Sequence, residues 1–222
     1  MKKILLISLV VAFGMSLAAQ KPFAGTVTYT TTFTGTTDAN ILAQNGTELV
    51  YKVLDNKMKM EQKSEVGVEM IMNGDNGTIV TVIDLTALGF GKYISKDTVN
   101  KDGLSKYDYA VDKNNTKTIL NYNCYKVVCT TTDLETDETE EAILYVTEDF
   151  IPNAKNAQYP GLSGFVMYAE QYIGTQDVTV IQEVSAIAPN KKIKAVDFFS
   201  PSDAIPFSEM PDEVKKGLGI KD

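Results

Sequence analysis

The residues best suited to chemistry in this chain are not polar. Tyr29, Phe33, Met58, Met60, Met70, Met72, Phe165 and Met167 fall on the apolar phase of segments that alternate with period two. Methionine is flexible and polarizable, fits irregular apolar shapes and is common at promiscuous binding surfaces. Gathered on one wall of a half-open β-structure, these side chains would line a cup for a lipid or other apolar ligand. The same side chains would also fill a closed core, and the sequence leaves both readings open.

The polar candidates point to no catalytic site. The chain has no His, no Arg and no Trp. It therefore lacks the usual triad base, the commonest neutral metal ligand and any bidentate clamp for phosphate or carboxylate. Carboxylate chemistry remains open, since 29 residues are Asp or Glu. The acidic run Asp133, Glu135, Asp137, Glu138, Glu140, Glu141 invites a calcium reading. An EF-hand loop from Asp133 would need Gly at its sixth position and Glu at its twelfth, where Glu138 and Leu144 stand. Gly161-Leu162-Ser163-Gly164-Phe165 approaches the nucleophile elbow, but Phe165 replaces the final glycine and no His exists to activate Ser163. No catalytic residue, metal ligand or cofactor is expected.

Cys124 and Cys129 are the only cysteines. On one strand their Cα atoms would lie about 16 Å apart and face opposite sides of the sheet. A disulfide needs Cα atoms within about 7 Å. Two unpaired thiols are expected, at least one packed as a small hydrophobe.

The elements that position these residues are mostly strands. Thr26 to Phe33 alternates Thr with Val27, Tyr29 and Phe33. Lys57-Met58-Lys59-Met60-Glu61 puts Met on one face and charge on the other. Residues 65–84 read as a hairpin turning at Asn73-Gly74-Asp75-Asn76-Gly77. Further strands are expected near 92–95, 106–111, 116–121, 123–132, 140–147, 164–173, 178–188 and 192–197. Asp133 to Glu138 forms an acidic loop, and Thr36 to Asn45 is a loop or a short helix. Ser200 to Phe207 should be irregular. A short C-terminal helix follows, capped by Ser208, with Pro211 in its first turn and Gly217 or Gly219 at its end. The fold class is mainly β: a single curved antiparallel sheet or open half-barrel with few helices.

Residues 1–20 read as a signal peptide. Lys2 and Lys3 precede an apolar run from Ile4 to Phe13, and small residues follow up to Ala18-Ala19. That run is shorter than the about 20 apolar residues a transmembrane helix needs, and no later stretch is longer. Residues 21–222 are read as a single β-rich domain. The formal charge of -8 repels nucleic acid and anionic membrane surfaces.

Several segments together resemble exported Bacteroidota proteins of the GLPGLI type and their relatives of unknown function. Phe23-Ala24-Gly25-Thr26-Val27-Thr28-Tyr29 resembles their first strand, and Lys57-Met58-Lys59-Met60-Glu61 a hydrophobic-basic strand. Asn121-Tyr122-Asn123-Cys124-Tyr125-Lys126 is similar to their Tyr-x-Cys-x-Lys pattern. Tyr159-Pro160-Gly161-Leu162-Ser163-Gly164-Phe165-Val166 resembles the naming motif, with Ser163 where Pro is typical and Phe165-Val166 in place of Leu-Ile. Phe198 to Pro206 resembles the closing segment. The resemblance implies a fold like that of the periplasmic carriers LolA and LolB, a curved sheet wrapped around helices. LolA handles lipoproteins with an Arg that this chain lacks, so the resemblance implies fold and location, not lipoprotein carriage.

The expected protein is thus an exported, periplasmic and non-enzymatic domain, with extracellular release open. It would bind a lipid or other apolar small molecule in a β-walled cup. The alternative is a cell-envelope module with a closed core that contacts envelope proteins.

Overall fold

A computed structural model describes residues 23–35, 47–54, 57–62, 67–73, 77–98, 104–149, 159–174 and 177–217. The expected signal peptide and the segment Thr36 to Asn45 lie outside them. The strands are β1 (Ala24–Thr34), β2 (Glu48–Leu54), β3 (Lys57–Gln62), β4 (Gly67–Asn73), β5 (Thr78–Asp84), β6 (Lys92–Thr98), β7 (Ser105–Ile119), β8 (Tyr122–Asp133), β9 (Thr139–Thr147), β10 (Phe165–Ile173), β11 (Val178–Pro189) and β12 (Ile205–Pro206). They form one 12-stranded sheet in the order β12-β6-β5-β4-β3-β2-β1-β11-β10-β9-β8-β7. Every pairing is antiparallel except the short contact of β12 with β6. The sheet is open and not closed into a barrel. One α-helix, α1 (Asp212–Gly217), ends the described chain.

Local chemistry explains where the elements depart from the sequence pattern. The two strands expected at 106–111 and 116–121 are one long β7, interrupted by a register shift between Asp112 and Thr116. It ends at Ile119 because Leu120 and Asn121 both take positive φ, 47° and 70°. Two such residues make the tight hairpin turn that leads into β8. The strand expected at 192–197 does not form. The Asp197 carboxylate accepts the Lys194 backbone N–H at 2.7 Å, and the Asn190 side chain accepts that of Lys192 at 2.9 Å. These local bonds compete with a ladder, and Ala195–Phe198 coils into a 3-10 turn instead. Ser208 likewise does not cap α1: it sits in a separate 3-10 turn, Phe207–Glu209. The helix begins later, with Pro211 O accepting the Val214 and Lys215 N–H groups.

The link between β6 and β7 shows how strongly the sheet curls. These strands stand ten positions apart in the sheet order. At about 4.8 Å per strand a flat sheet would separate them by about 48 Å. The chain from Thr98 to Ser105 spans at most about 25 Å. The sheet must therefore bend through much of a cylinder. Register shifts between Thr28 and Tyr29 and between Val166 and Tyr168 fall in its middle strands, where such irregularities kink a sheet.

Among the described residues three apolar clusters hold this shape. Val27, Tyr29, Leu49, Ile119, Cys124, Phe165, Met167 and Val184 form one. Val127, Cys129, Leu144, Val146, Tyr159 and Val166 belong to a second. The third joins Leu85 and Tyr93 to Met210 and Val214, so the C-terminal segment docks against β5 and β6. Together with β12, it covers a sheet edge that would otherwise offer an open ladder.

The Tyr159–Val166 motif has a structural task. Tyr159 is buried in the second cluster, and Gly161 and Gly164 both take positive φ, 84° and 86°. A Cβ on Gly164 would meet Thr147 O and Val146 Cγ1 at 2.7 Å, whereas one on Gly161 would meet nothing within 4 Å. Gly164→Ala is expected to cost about 3 kcal/mol and Gly161→Ala about 1 kcal/mol, since the first adds a clash to the backbone strain. Urea denaturation of both variants reads the difference; equal losses would show that the contact with β9 does not matter.

Candidate functional site

The register of β1 to β5 and β11 builds a cup. Tyr51 pairs with Met60 and Met60 with Met70, while Met58 pairs with Met72 and Met72 with Ile79. On the other side Phe33 pairs with Val180 and Thr31 with Gln182. Residues that pair in this way project to the same face of a sheet. Together with Leu49 and Gln62 they line a cavity of about 430 Å³. That lies in the lower part of the roughly 300–1,000 Å³ range of small-molecule sites.

The opposite face of the same strands carries the charge. Lys52 Nζ lies 2.7 Å from Glu61, and Lys59 Nζ lies 3.3 Å from Glu61 and 2.9 Å from Glu69. The alternation therefore sorts these ions away from the cup. Burial acts to raise the Glu61 pKa, but the hydrogen bond and charge of Lys52 and the nearby Lys59 outweigh it, holding the carboxyl below its usual range. Among the described residues that line the cup the titratable group is Tyr51, whose phenol is pushed up to about 12 by burial and so stays neutral.

Tyr29 joins the cup to the core behind it. Its hydroxyl donates to Val166 O at 2.6 Å, and its ring lies 5.1 Å from that of Tyr51, edge to face. The Phe165 ring also lies near it, at 6.3 Å. The structure thus brings Phe33, Met58, Met60, Met70 and Met72 together on the cup wall. It places Tyr29, Phe165 and Met167 in the adjoining closed cluster. Thr31, Leu49, Tyr51, Gln62, Ile79, Val180 and Gln182 complete the wall without having been singled out from the sequence. Leu49, Tyr51 and Val53 do alternate in Glu48–Leu54, a strand the sequence reading passed over.

One polar atom belonging to a wall residue is unusual. Thr31 is 4% exposed, and its Oγ1 has no hydrogen-bond partner among the described residues. A buried hydroxyl left unpaired costs about 1–3 kcal/mol. Valine would fit a strand at this position equally well.

The other candidates resolve into structural features. Asp133 Oδ1 accepts the backbone N–H groups of Glu135 and Thr136 at 2.8 and 3.0 Å, which organises the β8–β9 turn. Among the described residues no group of three or more His, Cys, Asp or Glu side chains is placed to hold a metal ion. Ser163 is exposed in the turn before β10. Cys124 and Cys129 are unpaired, buried and in different clusters. Burial pushes the Cys124 thiol up to about 11 and raises that of Cys129.

Neither a family model nor a curated protein matches the chain. Solved structures similar to it include the following two. One is a DUF1329 family protein from Desulfovibrio piger, at 9% identity over 81% of this chain and 91% of that one, with a TM-score of 0.25. The other is a domain described as outer-membrane lipoprotein-sorting, from Vibrio parahaemolyticus, at 10% identity over 78% and 89%, with a TM-score of 0.26. Both correspondences are loose, and the fold described above rests on this chain's own strand pairing. No family model supports the expected GLPGLI-type resemblance.

Two outcomes are expected. The native protein near neutral pH should leave a thiol reagent unreacted until denaturant is added, because both thiols are buried and protonated. Fast native labelling would contradict this. Glu61→Gln should cost about 0.5–1 kcal/mol near neutral pH, given its partly exposed pairs. The folded-state pKa of Glu61 is depressed, so its contribution is present above the unfolded carboxylate value and lost as pH falls through the folded one. Urea titrations should therefore show the gap from wild type closing in acid; a gap independent of pH would rule out this ion pair as its source.

Proposed function

We propose that this protein is an exported, non-enzymatic periplasmic domain that holds a lipid or other apolar molecule in its β-walled cup. The observation that carries the reading is the cavity of about 430 Å³, whose walls include Met58, Met60, Met70 and Met72. Four flexible thioethers facing one space suit a ligand of variable shape better than they suit a rigid core. The signal-peptide pattern of residues 1–20 and the GLPGLI-type motifs support the location. The lack of His and Arg supports the non-enzymatic reading.

A second reading, an envelope module that contacts other proteins, draws on exposed apolar residues outside the cup. Val196, in the 3-10 turn Ala195–Phe198, and Phe199, just after it, are 57% and 68% exposed, and Leu88 and Phe90 are exposed in the β5–β6 turn. Exposed apolar surface of this kind marks interaction sites when it is contiguous.

Native mass spectrometry with lipid extraction, on protein purified from its own host envelope, tests the first reading. A bound apolar species is expected. An empty protein that also fails to take up the neutral fluorophore N-phenylnaphthylamine would overturn it and leave the interaction module.

A further inference from the structure

We infer that the cup holds a soft monovalent metal ion, Cu(I) or Ag(I), on the thioethers of Met58, Met60 and Met70, with Met72 as the fourth donor. The inference goes beyond the apolar-ligand reading. It takes the same cavity and assigns its sulfurs a chemistry that an apolar wall does not require.

The first observation is the array. Met58 pairs with Met72 and Met60 with Met70 across β3 and β4, and all four line the one cavity. Opposed Cβ atoms lie about 5 Å apart and alternate residues of a strand about 6.6 Å apart, so the four Cβ atoms mark a rectangle whose corners stand about 4 Å from its centre. A methionine sulfur lies one methylene beyond Cβ, on an unbranched side chain that rotates freely. From those corners the sulfurs can turn onto a single ion above the centre. Met72 is 2% exposed, while Met58, Met60 and Met70 are half-buried and keep part of their surface open.

The second is the rest of the wall. Its other polar side chains are Thr31, Tyr51, Gln62 and Gln182. Among the described residues no carboxylate, thiol or ammonium lines the cup, and the chain has no His or Arg. Calcium and magnesium take oxygen ligands that include carboxylates, and zinc takes thiolate, imidazole or carboxylate. Thioethers are soft ligands and select Cu(I) instead. Cys124 and Cys129, the other sulfur ligands of the chain, do not line the cup.

The third is the surrounding charge. Lys52 and Lys59 are held by Glu61 and Glu69 on the other face, so no ammonium repels a cation within the cup. The formal charge of -8 attracts one. Tyr51, the register partner of Met60, sets an aromatic ring beside the array, and ring faces attract cations.

The test is native mass spectrometry and equilibrium dialysis of the purified protein with silver nitrate in chloride-free buffer, Ag(I) serving as the redox-stable probe. One Ag(I) per chain is expected. Its uptake should be the same from about pH 5 to about pH 8, because a thioether has no proton to release, whereas uptake by a thiol would fall in acid. Losing even an outer partner of a metal ligand typically costs about 10–100-fold in affinity, so Met60→Leu with Met70→Leu should weaken Ag(I) at least about tenfold. Leucine keeps the wall apolar and similar in volume, so the same variant should retain its melting temperature and its uptake of N-phenylnaphthylamine. Met58→Leu, a second variant should the double one fail to fold, should weaken Ag(I) as well. No retained Ag(I), uptake that falls in acid, or unchanged uptake in both leucine variants would overturn the inference. In each of those cases continued binding of N-phenylnaphthylamine leaves the apolar-ligand reading standing. Ag(I) held by the wild type and lost from the variants, in a protein that takes up no N-phenylnaphthylamine, would sustain this inference and remove that reading.

Discussion

Neighbouring side chains on a strand point to opposite faces of the sheet, and β2 to β5 keep that rule without a register shift. The cup depends on it. A slip of one residue in β3 would turn Met58 and Met60 outward and bring Lys59 and Glu61 into the cavity. The ion pairs of Lys59 with Glu61 and Glu69 help hold the register from the outer face. Charge on one side and methionine on the other are two consequences of the same alternation.

Curvature turns that face into a container. A flat sheet of this width would expose both faces and could not be spanned by the short link from β6 to β7. β1 and β10 depart from regular register in the middle of the sheet, and irregularities of this kind bend a strand. Tyr29 stands beside both irregularities. Its hydroxyl reaches Val166 O across the intervening β11, and its ring backs the cup wall at Tyr51. The closed core on one side of Tyr29 thus supports the open cavity on the other.

The two regions spend their apolar side chains differently. Val27, Val127, Leu144, Val146 and Met167 are fully buried and fill space, while Met58, Met60 and Met70 remain half-exposed around a volume they do not fill. Open apolar surface and an unpaired buried hydroxyl both reduce stability. Departures of this sort from the best-packed solution collect at functional sites in proteins, and here the open apolar surface lines one cavity whose wall includes Thr31.

The sequence by itself determined the mainly β class, the Met-in, charge-out polarity of β3 and β4, and the separation of the two thiols. Each follows from the period of two, which is local and survives without tertiary contacts. Its failures were local as well. The alternation of 192–197 gave way to side-chain bonds from Asn190 and Asp197, and the gap between 111 and 116 was an irregularity within one strand. What only the tertiary structure decided is which apolar face closes and which stays open. Phe165 and Met167 have the same residue types as Phe33 and the cup methionines, yet the fold seals them with Tyr29 into a core. That difference comes from strand order and curvature, which bring β11 beside β1 and set Thr31 against Gln182. Pairings between residues so far apart in sequence are fixed by the packing of the whole sheet, and no local pattern encodes them.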